Sequence, residues 1–208
     1  TTVDLGAGLD DLVLGDFVNT VTVTNVETVT GGSTDDTVTF GAAVTGAVVD
    51  LGAGDDTIVF DDTGATATLT DVETITGSAI DDLVTIAGAD AAMSIDLGAG
   101  TDRLILGDFD GTATVSNVET ITGGASADTV ILATLATGTT IDLAGGADSL
   151  TLGNFVNTVT VSNVETITGG NAADTVTLAT QATAVSIDLA GGADLLQLGA
   201  FANTLTIS

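Results

Sequence analysis

A chain of 208 residues with a formal net charge of -28 is too acidic to bind a phosphate backbone or an anionic bilayer, yet its 44% hydrophobic residues suffice for a core. It contains no His, Cys, Tyr or Trp, and Arg103 is its one basic residue. Zinc centres of His and Cys, Ser–His–Asp and Cys–His nucleophiles and Schiff-base lysines are therefore excluded, which leaves carboxylates and hydroxyls and points away from an enzyme. No apolar run approaches the roughly 18 residues of a spanning helix.

In chain order, DLVL from 11, TVTVT from 20, VETVT from 26, DTVTF from 36 and AVVDL from 47 alternate apolar with polar residues, the pattern of half-buried strands. Between them stand GAGLD, GDFVN, Asn25, GGSTD and GAAVT, segments of Gly, Asn and Asp that tolerate positive φ and make turns. The same order then recurs. NVETVTGGSTDDTVTF at 25 returns as DVETITGSAIDDLVTI at 71, NVETITGGASADTVIL at 117 and NVETITGGNAADTVTL at 163. Glu27, Glu73, Glu119 and Glu165 stand 46 residues apart, as do Asp4, Asp50, Asp96, Asp142 and Asp188.

A constant period without insertions is the mark of stacked repeats. The expected fold is all-β, a parallel β-solenoid of the β-roll or β-helix kind, with about two coils per 46-residue repeat. Residues 1–208 form one array of about four and a half units, and Thr1 and Ser208 fall within repeats, as in a segment of a longer chain. Parity assigns Leu12, Leu14, Val21, Val23, Val38, Phe40, Val49 and Leu51 to the core and the alternating threonines to the outside. Phe17, Phe109, Phe155 and Phe201 are expected to pack into corners. The NVET element is expected to be a bend or a bulge, where Asn25, Asp71, Asn117 and Asn163 stack as a polar ladder. Glu27 and its equivalents either cap free N–H groups of a turn or bind a cation.

LGAGDDTIV at 51–59 and LGAGLDDLV at 5–13 resemble the nonapeptide G-G-x-G-x-D-x-U-x of the repeats-in-toxin (RTX, haemolysin-type calcium-binding) family. The resemblance implies a parallel β-roll in which Ca²⁺ sits between turns of successive coils, held by backbone carbonyls and the turn Asp. Carried onto this chain, the Asp position falls on Asp10, Asp56, Asp102, Asp148 and Asp194, preceded by Gly8, Gly54, Gly100, Gly146 and Gly192. The second turn places it on Asp36, Asp82, Asp128 and Asp174. The chain departs from the pattern at the first Gly, which is Leu5, Leu51 or Leu97, and at the second, which is Ala144 or Ala190 in the last units. In the GGSTD-type turns Thr34, Ile80, Ser126 and Ala172 replace the third.

Charge makes its own case for calcium. A turn Asp in every coil would form a column of carboxylates about 5 Å apart, each neighbouring pair repelling by about 1 kcal/mol even in water. Ca²⁺, a hard ion with six to eight oxygen ligands in flexible geometry, suits such a column. The bland alternative is an Asx-turn, in which the Asp accepts backbone N–H bonds and no ion is needed.

The expected function is therefore a non-enzymatic, structural calcium-binding solenoid of a secreted bacterial surface protein: an adhesin, surface layer (S-layer) or filament. It would self-associate head to tail or laterally, without nucleic acid or membrane insertion. One alternative is an RTX module that folds on calcium beside a secreted exoenzyme or cytolysin. Another is an ice-binding face built on Thr66-Thr68-Thr70, Thr112-Thr114 and Thr158-Thr160, against which the intervening coils carry no matching Thr pair.

Overall fold

The computed structural model describes residues 1–61, 63–88 and 92–208, and the chain in it is all-β, a solenoid of parallel strands. The first eight strands are β1 (Thr2–Asp4), β2 (Asp11–Val13), β3 (Thr20–Thr24), β4 (Thr28–Gly32), β5 (Thr37–Phe40), β6 (Val44–Gly52), β7 (Thr57–Phe60) and β8 (Ala65–Thr70). Odd-numbered strands build one sheet of 12 and even-numbered strands a second sheet of 11, so each coil contributes one strand to each. All five strand segments read from the first unit are present.

Register holds the coils in line. Val23 pairs with Phe40 and Phe40 with Phe60 in the odd sheet, while Val29 pairs with Val49 and Val49 with Leu69 in the even sheet. Inward positions thus meet inward positions, and side chains such as Val38, Ile58, Leu69 and Leu104 are fully buried between the sheets. Each contributes about 1.5 to 3 kcal/mol of apolar burial. Phe40 and Phe60 stack with ring centres 5.6 Å apart. Leu51, Leu97 and Leu143 are also fully buried, which explains why Leu stands where the RTX pattern has its first Gly: this residue turns inward at the end of its strand or just past it.

The number of coils per repeat differs from the expected two. TVTVT is β3 in the odd sheet, and its counterpart one repeat later is β8 in the even sheet. A repeat therefore holds five strands, or two and a half coils, and equivalent residues of successive repeats lie on opposite faces. The extra half coil comes from NVET, which is a corner followed by a strand and not a bulge. Asn25, Asp71, Asn117 and Asn163 turn that corner with φ of 54, 51, 53 and 51°. Asn and Asp tolerate this left-handed conformation because their short polar side chains bond locally.

Two further expectations fall with the half-turn. The four NVET corners alternate between the two edges, so their Asn and Asp side chains do not stack on one another. Asn25 Nδ2 instead donates to Asp4 Oδ1 at 2.8 Å, Asn117 Nδ2 to Asp96 Oδ1 at 2.7 Å and Asn163 Nδ2 to Asp142 Oδ1 at 2.7 Å. The corner phenylalanines are not core either. Phe17 is 75% exposed, Phe155 and Phe201 are also exposed, and only Phe109 packs partly against the core. In each corner the Phe N–H donates to the carbonyl of the Gly two residues before it, a tight reversal that leaves the ring on the outside.

Candidate metal centre

Each turn Asp predicted from sequence occupies one position, at the junction of a corner and the next strand. Asp36, Asp56, Asp82, Asp102, Asp148, Asp174 and Asp194 reach with the side chain to the coil before, while Asp128 Oδ2 accepts from Gly124 N–H in its own turn. Asp56 Oδ1 accepts from the N–H of Asp36 at 2.6 Å, Asp102 Oδ1 from Asp82 at 2.7 Å, Asp148 Oδ1 from Asp128 at 2.8 Å and Asp194 Oδ1 from Asp174 at 2.9 Å. Glu continues the ladder, accepting through Oε2 from Asp10, Asp56, Asp102 and Asp148. This places Glu27, Glu73, Glu119 and Glu165 as caps of a turn's N–H, the first of the two roles open to them.

The ladder is discontinuous in charge. Along one edge its position holds Asp82, Asp102, Glu119, Ala136, Asn157, Asp174 and Asp194 in turn. A carboxylate in every coil is thus not what the fold builds, because the repeat spans two and a half coils and the acidic turns come in stacked pairs. These pairs join 31–36 to 51–56, 77–82 to 97–102, 123–128 to 143–148 and 169–174 to 189–194, on alternate edges. The turn at 5–10, with Asp10 half-buried and Gly8 exposed, stacks only on Glu27.

The glycines follow from this stacking. A Cβ on Gly54 would lie 2.8 Å from the Asp35 nitrogen, and one on Gly100 would lie 2.9 Å from that of Asp81. Gly146 and Gly192 rest in the same way on the backbones of Ser126 and Ala172. The second position of the turn needs positive φ, which is 82° at Gly52 and 88° at Gly98; Ala144 and Ala190 adopt it at 63 and 60°. A side chain in that region costs roughly 1–2 kcal/mol.

Burial and bonding set the chemistry. Asp36, Asp56, Asp82, Asp102, Asp128, Asp148 and Asp174 are all buried. Asp82 and Asp174 accept backbone N–H bonds through both oxygens, from Ala65 and Ser78 and from Asn157 and Gly170, whereas Oδ2 of Asp10, Asp36, Asp102 and Asp148 and Oδ1 of Asp128 are buried with no partner. Burial, then the neighbouring Asp82, Glu119 and Asp81, push Asp102 up to about 6 against the opposing Asp82 N–H bond. Asp128 is pushed up to about 6, chiefly by burial, and Asp148 is raised for the same reason with Glu165 adding to it.

No family model, curated protein or solved structure matches this chain. The site must be read from its own atoms.

An orphaned buried oxygen beside a glycine turn fits a proton or a hard cation. The donors are all oxygen, as Ca²⁺ requires. Among the described residues no group of three or more carboxylates is gathered to hold a metal, so an ion here would draw most of its ligands from backbone carbonyls and solvent. Sequence reading missed the outer carboxylates Asp35 and Asp81, which accept from the N–H groups of Asp55 and Thr101 across the paired turns. It also missed Asn157, whose role is signalled by its place just before a strand, as at Asp36. The five turn-and-strand segments per repeat, an odd number, were the available sign that faces alternate.

Proposed function

We propose that this chain is a non-enzymatic structural solenoid that takes up calcium at its paired acidic turns, as part of a secreted bacterial surface protein of the adhesin, S-layer or filament kind. The observation that supports it is the set of buried, unpartnered carboxylate oxygens at the paired turns. The residues that would hold the ion are Asp36 with Asp56, Asp82 with Asp102, Asp128 with Asp148 and Asp174 with Asp194. Ca²⁺ would neutralise carboxylates that burial disfavours as anions. The protein's own part is to fix one oxygen of Asp36, Asp102, Asp128 and Asp148 on an N–H while the other stays buried without a partner, and to hold Asp82 and Asp174 beside them by both oxygens.

Binding to the folded state alone would add stability by mass action, and repeated sites would multiply that gain. Such a chain folds where calcium is abundant, which is the reason to place it outside the cell. End-to-end or lateral self-association belongs to the same reading.

Calorimetric titration with calcium, alongside circular dichroism in excess EGTA, tests the proposal. Heat of binding and a calcium-dependent rise in melting temperature are expected. An identical melt with calcium and with EGTA would remove the metal and leave the solenoid.

A further inference from the structure

Four corners of the solenoid share one frame: residues 15–19, 107–111, 153–157 and 199–203 read GDFVN, GDFDG, GNFVN and GAFAN. Three end in Asn, and one ends in Gly111. The Asn has a fixed task. Asn157 Nδ2 donates to Gly153 O, Phe155 O and Asp174 Oδ1 at 3.0, 2.9 and 2.9 Å, and Asn19 Nδ2 bonds Gly15 O, Phe17 O and Asp36 Oδ1 in the same way. An amide nitrogen thus sits among three oxygens, two of them carbonyls and one a carboxylate.

Gly111 supplies no amide, although its corner keeps the same shape. Phe109 N–H donates to Gly107 O at 2.9 Å as Phe155 N–H does to Gly153 O at 2.8 Å, and Gly111 pairs in register with Asp128. Asp128 also holds its own turn as Asp174 does, through Oδ2 on Gly124 N–H at 3.2 Å against Gly170 N–H at 3.3 Å. The difference falls on Oδ1, which in Asp128 is buried without a partner, on a side chain 1% exposed. At 61–65, where Ala65 takes the place of Asn, the Ala65 N–H and the Ser78 hydroxyl bond Asp82 Oδ1 instead. Asp128 has no such substitute. Two more carboxylates join this corner, Asp108 and Asp110, which accept from Ala125 and Ala127 N–H, and Asp110 stands where the sister corners carry Val18, Val156 and Ala202.

We propose that the 107–111 corner and Asp128 bind one large monovalent cation, K⁺ or ammonium, held by Asp128 Oδ1 and the carbonyls of Gly107 and Phe109. Size selects the ion. The amide nitrogen of Asn157 stands 2.9 to 3.0 Å from each of its three oxygens, whereas Ca²⁺ takes oxygens at about 2.3–2.6 Å and Mg²⁺ at about 2.0–2.1 Å. Ammonium makes bonds of about 2.7–2.9 Å to charged acceptors, and backbone carbonyls replace the hydration shell of K⁺. Charge favours a cation over water, which would bond the oxygens but leave a buried carboxylate without a counter-charge. Phe109 shields this point from solvent: it packs partly on the core, and a Cβ on Gly111 would lie 2.8 Å from its Cε2. Gly107 belongs to the coil before Asp128 and Asp148 to the coil after. The ion is therefore separate from the calcium proposed at the paired turns and does not rest on it.

The test follows melting of the 208-residue chain by circular dichroism at pH 8 in KCl, NH₄Cl, NaCl and choline chloride of equal ionic strength, once with calcium and once with EGTA. Wherever the chain is folded, K⁺ and ammonium should raise the melting temperature by about 2–4 °C over Na⁺ and choline. Gly111→Asn restores the sister residue and should abolish that difference, as should Asp128→Asn, which removes the charge and keeps an acceptor for Gly124 N–H. Asn at 111 needs the Phe109 ring to swing out as Phe155 does, and if that variant does not fold, Asp128→Asn carries the test alone. Equal melts in the four salts would overturn the proposal and show that the Phe109 ring fills the space. A Na⁺ effect as large as that of K⁺, or a K⁺ effect that survives Asp128→Asn, would overturn it too. A calcium effect without a K⁺ effect would remove this site and leave the calcium reading standing, and the reverse result would keep this site and remove the calcium.

Discussion

Asn157 and Asp102 hold the same place in the ladder and meet opposite fates. Asn157 Oδ1 accepts the Ala136 N–H at 3.1 Å, and its Nδ2 donates to Gly153 O, Phe155 O and Asp174 Oδ1 at 3.0, 2.9 and 2.9 Å. Asp102 Oδ1 accepts the Asp82 N–H at 2.7 Å, but its Oδ2 is buried without a partner. Both side chains are buried. A neutral amide therefore does everything the ladder needs, and a carboxylate brings an idle oxygen and a charge that the fold does not use. Buried polar groups are normally paired, so this surplus marks the acidic rungs as places for a cation or a proton.

Removing the saturated rung should cost the most. Asn157→Ala strands the Ala136 N–H in the interior and unpins two corner carbonyls, and each unsatisfied buried group costs roughly 1–3 kcal/mol. The midpoint of urea unfolding should fall clearly, with or without calcium. A variant as stable as the parent would mean that the ladder bonds carry little of the fold.

The acidic rung should behave otherwise. Asp102→Asn keeps the acceptor for Asp82 N–H and removes the buried charge, so at pH 8 in chelator its melting temperature should equal or exceed the parent's. In calcium the order should reverse, because the variant has lost a ligand that the parent gains from. A destabilised Asp102→Asn in chelator would show the charge itself to be structural.

The strands, the parallel stacking and the inward and outward parity were legible because alternation in TVTVT and DTVTF is a local property of the chain. The paired turns were legible in part. Spacing put Asp36 and Asp56 at the ends of their turns, but which turns stack depends on the number of half coils between them, and that rests on whether NVET is a bulge or a corner. The positive φ of Asn25 decides the matter, and an Asn alone does not announce it. The fate of each carboxylate oxygen was not legible at all, since the partners are backbone N–H groups 17 or 20 residues away.

Acidity separates the two kinds of rung again, with a smaller effect. Asp102 and Asp128 titrate near 6 when folded and near the ordinary carboxylate value when unfolded, so the folded state binds more protons between those limits. In chelator, stability should rise as the pH falls through about 6 and be fully gained below the unfolded value of about 4. This is the reverse of ordinary acid unfolding, and Asp102→Asn combined with Asp128→Asn should flatten it. Melting temperatures in EGTA from pH 8 to pH 5 read it directly, and a stability that falls with pH would show that the carboxylates do not take up protons on folding.

The smallest effect is expected at Glu119, which touches Asp102 from the next coil. Glu119→Gln keeps an amide oxygen for the Asp102 N–H that now bonds Oε2 at 2.7 Å, so the ladder should lose well under about 1 kcal/mol. What changes is the field at Asp102. The Glu119 charge is one of the causes that raise Asp102, after burial and the Asp82 charge, and its removal should bring the Asp102 titration down from about 6 without reaching the ordinary value, because burial remains. Carboxyl carbon shifts followed by NMR against pH measure that movement at the residue itself. A titration of Asp102 unmoved by Glu119→Gln would mean that the two rungs are electrostatically separate, and that the acidic ladder is a row of independent sites and not a coupled one.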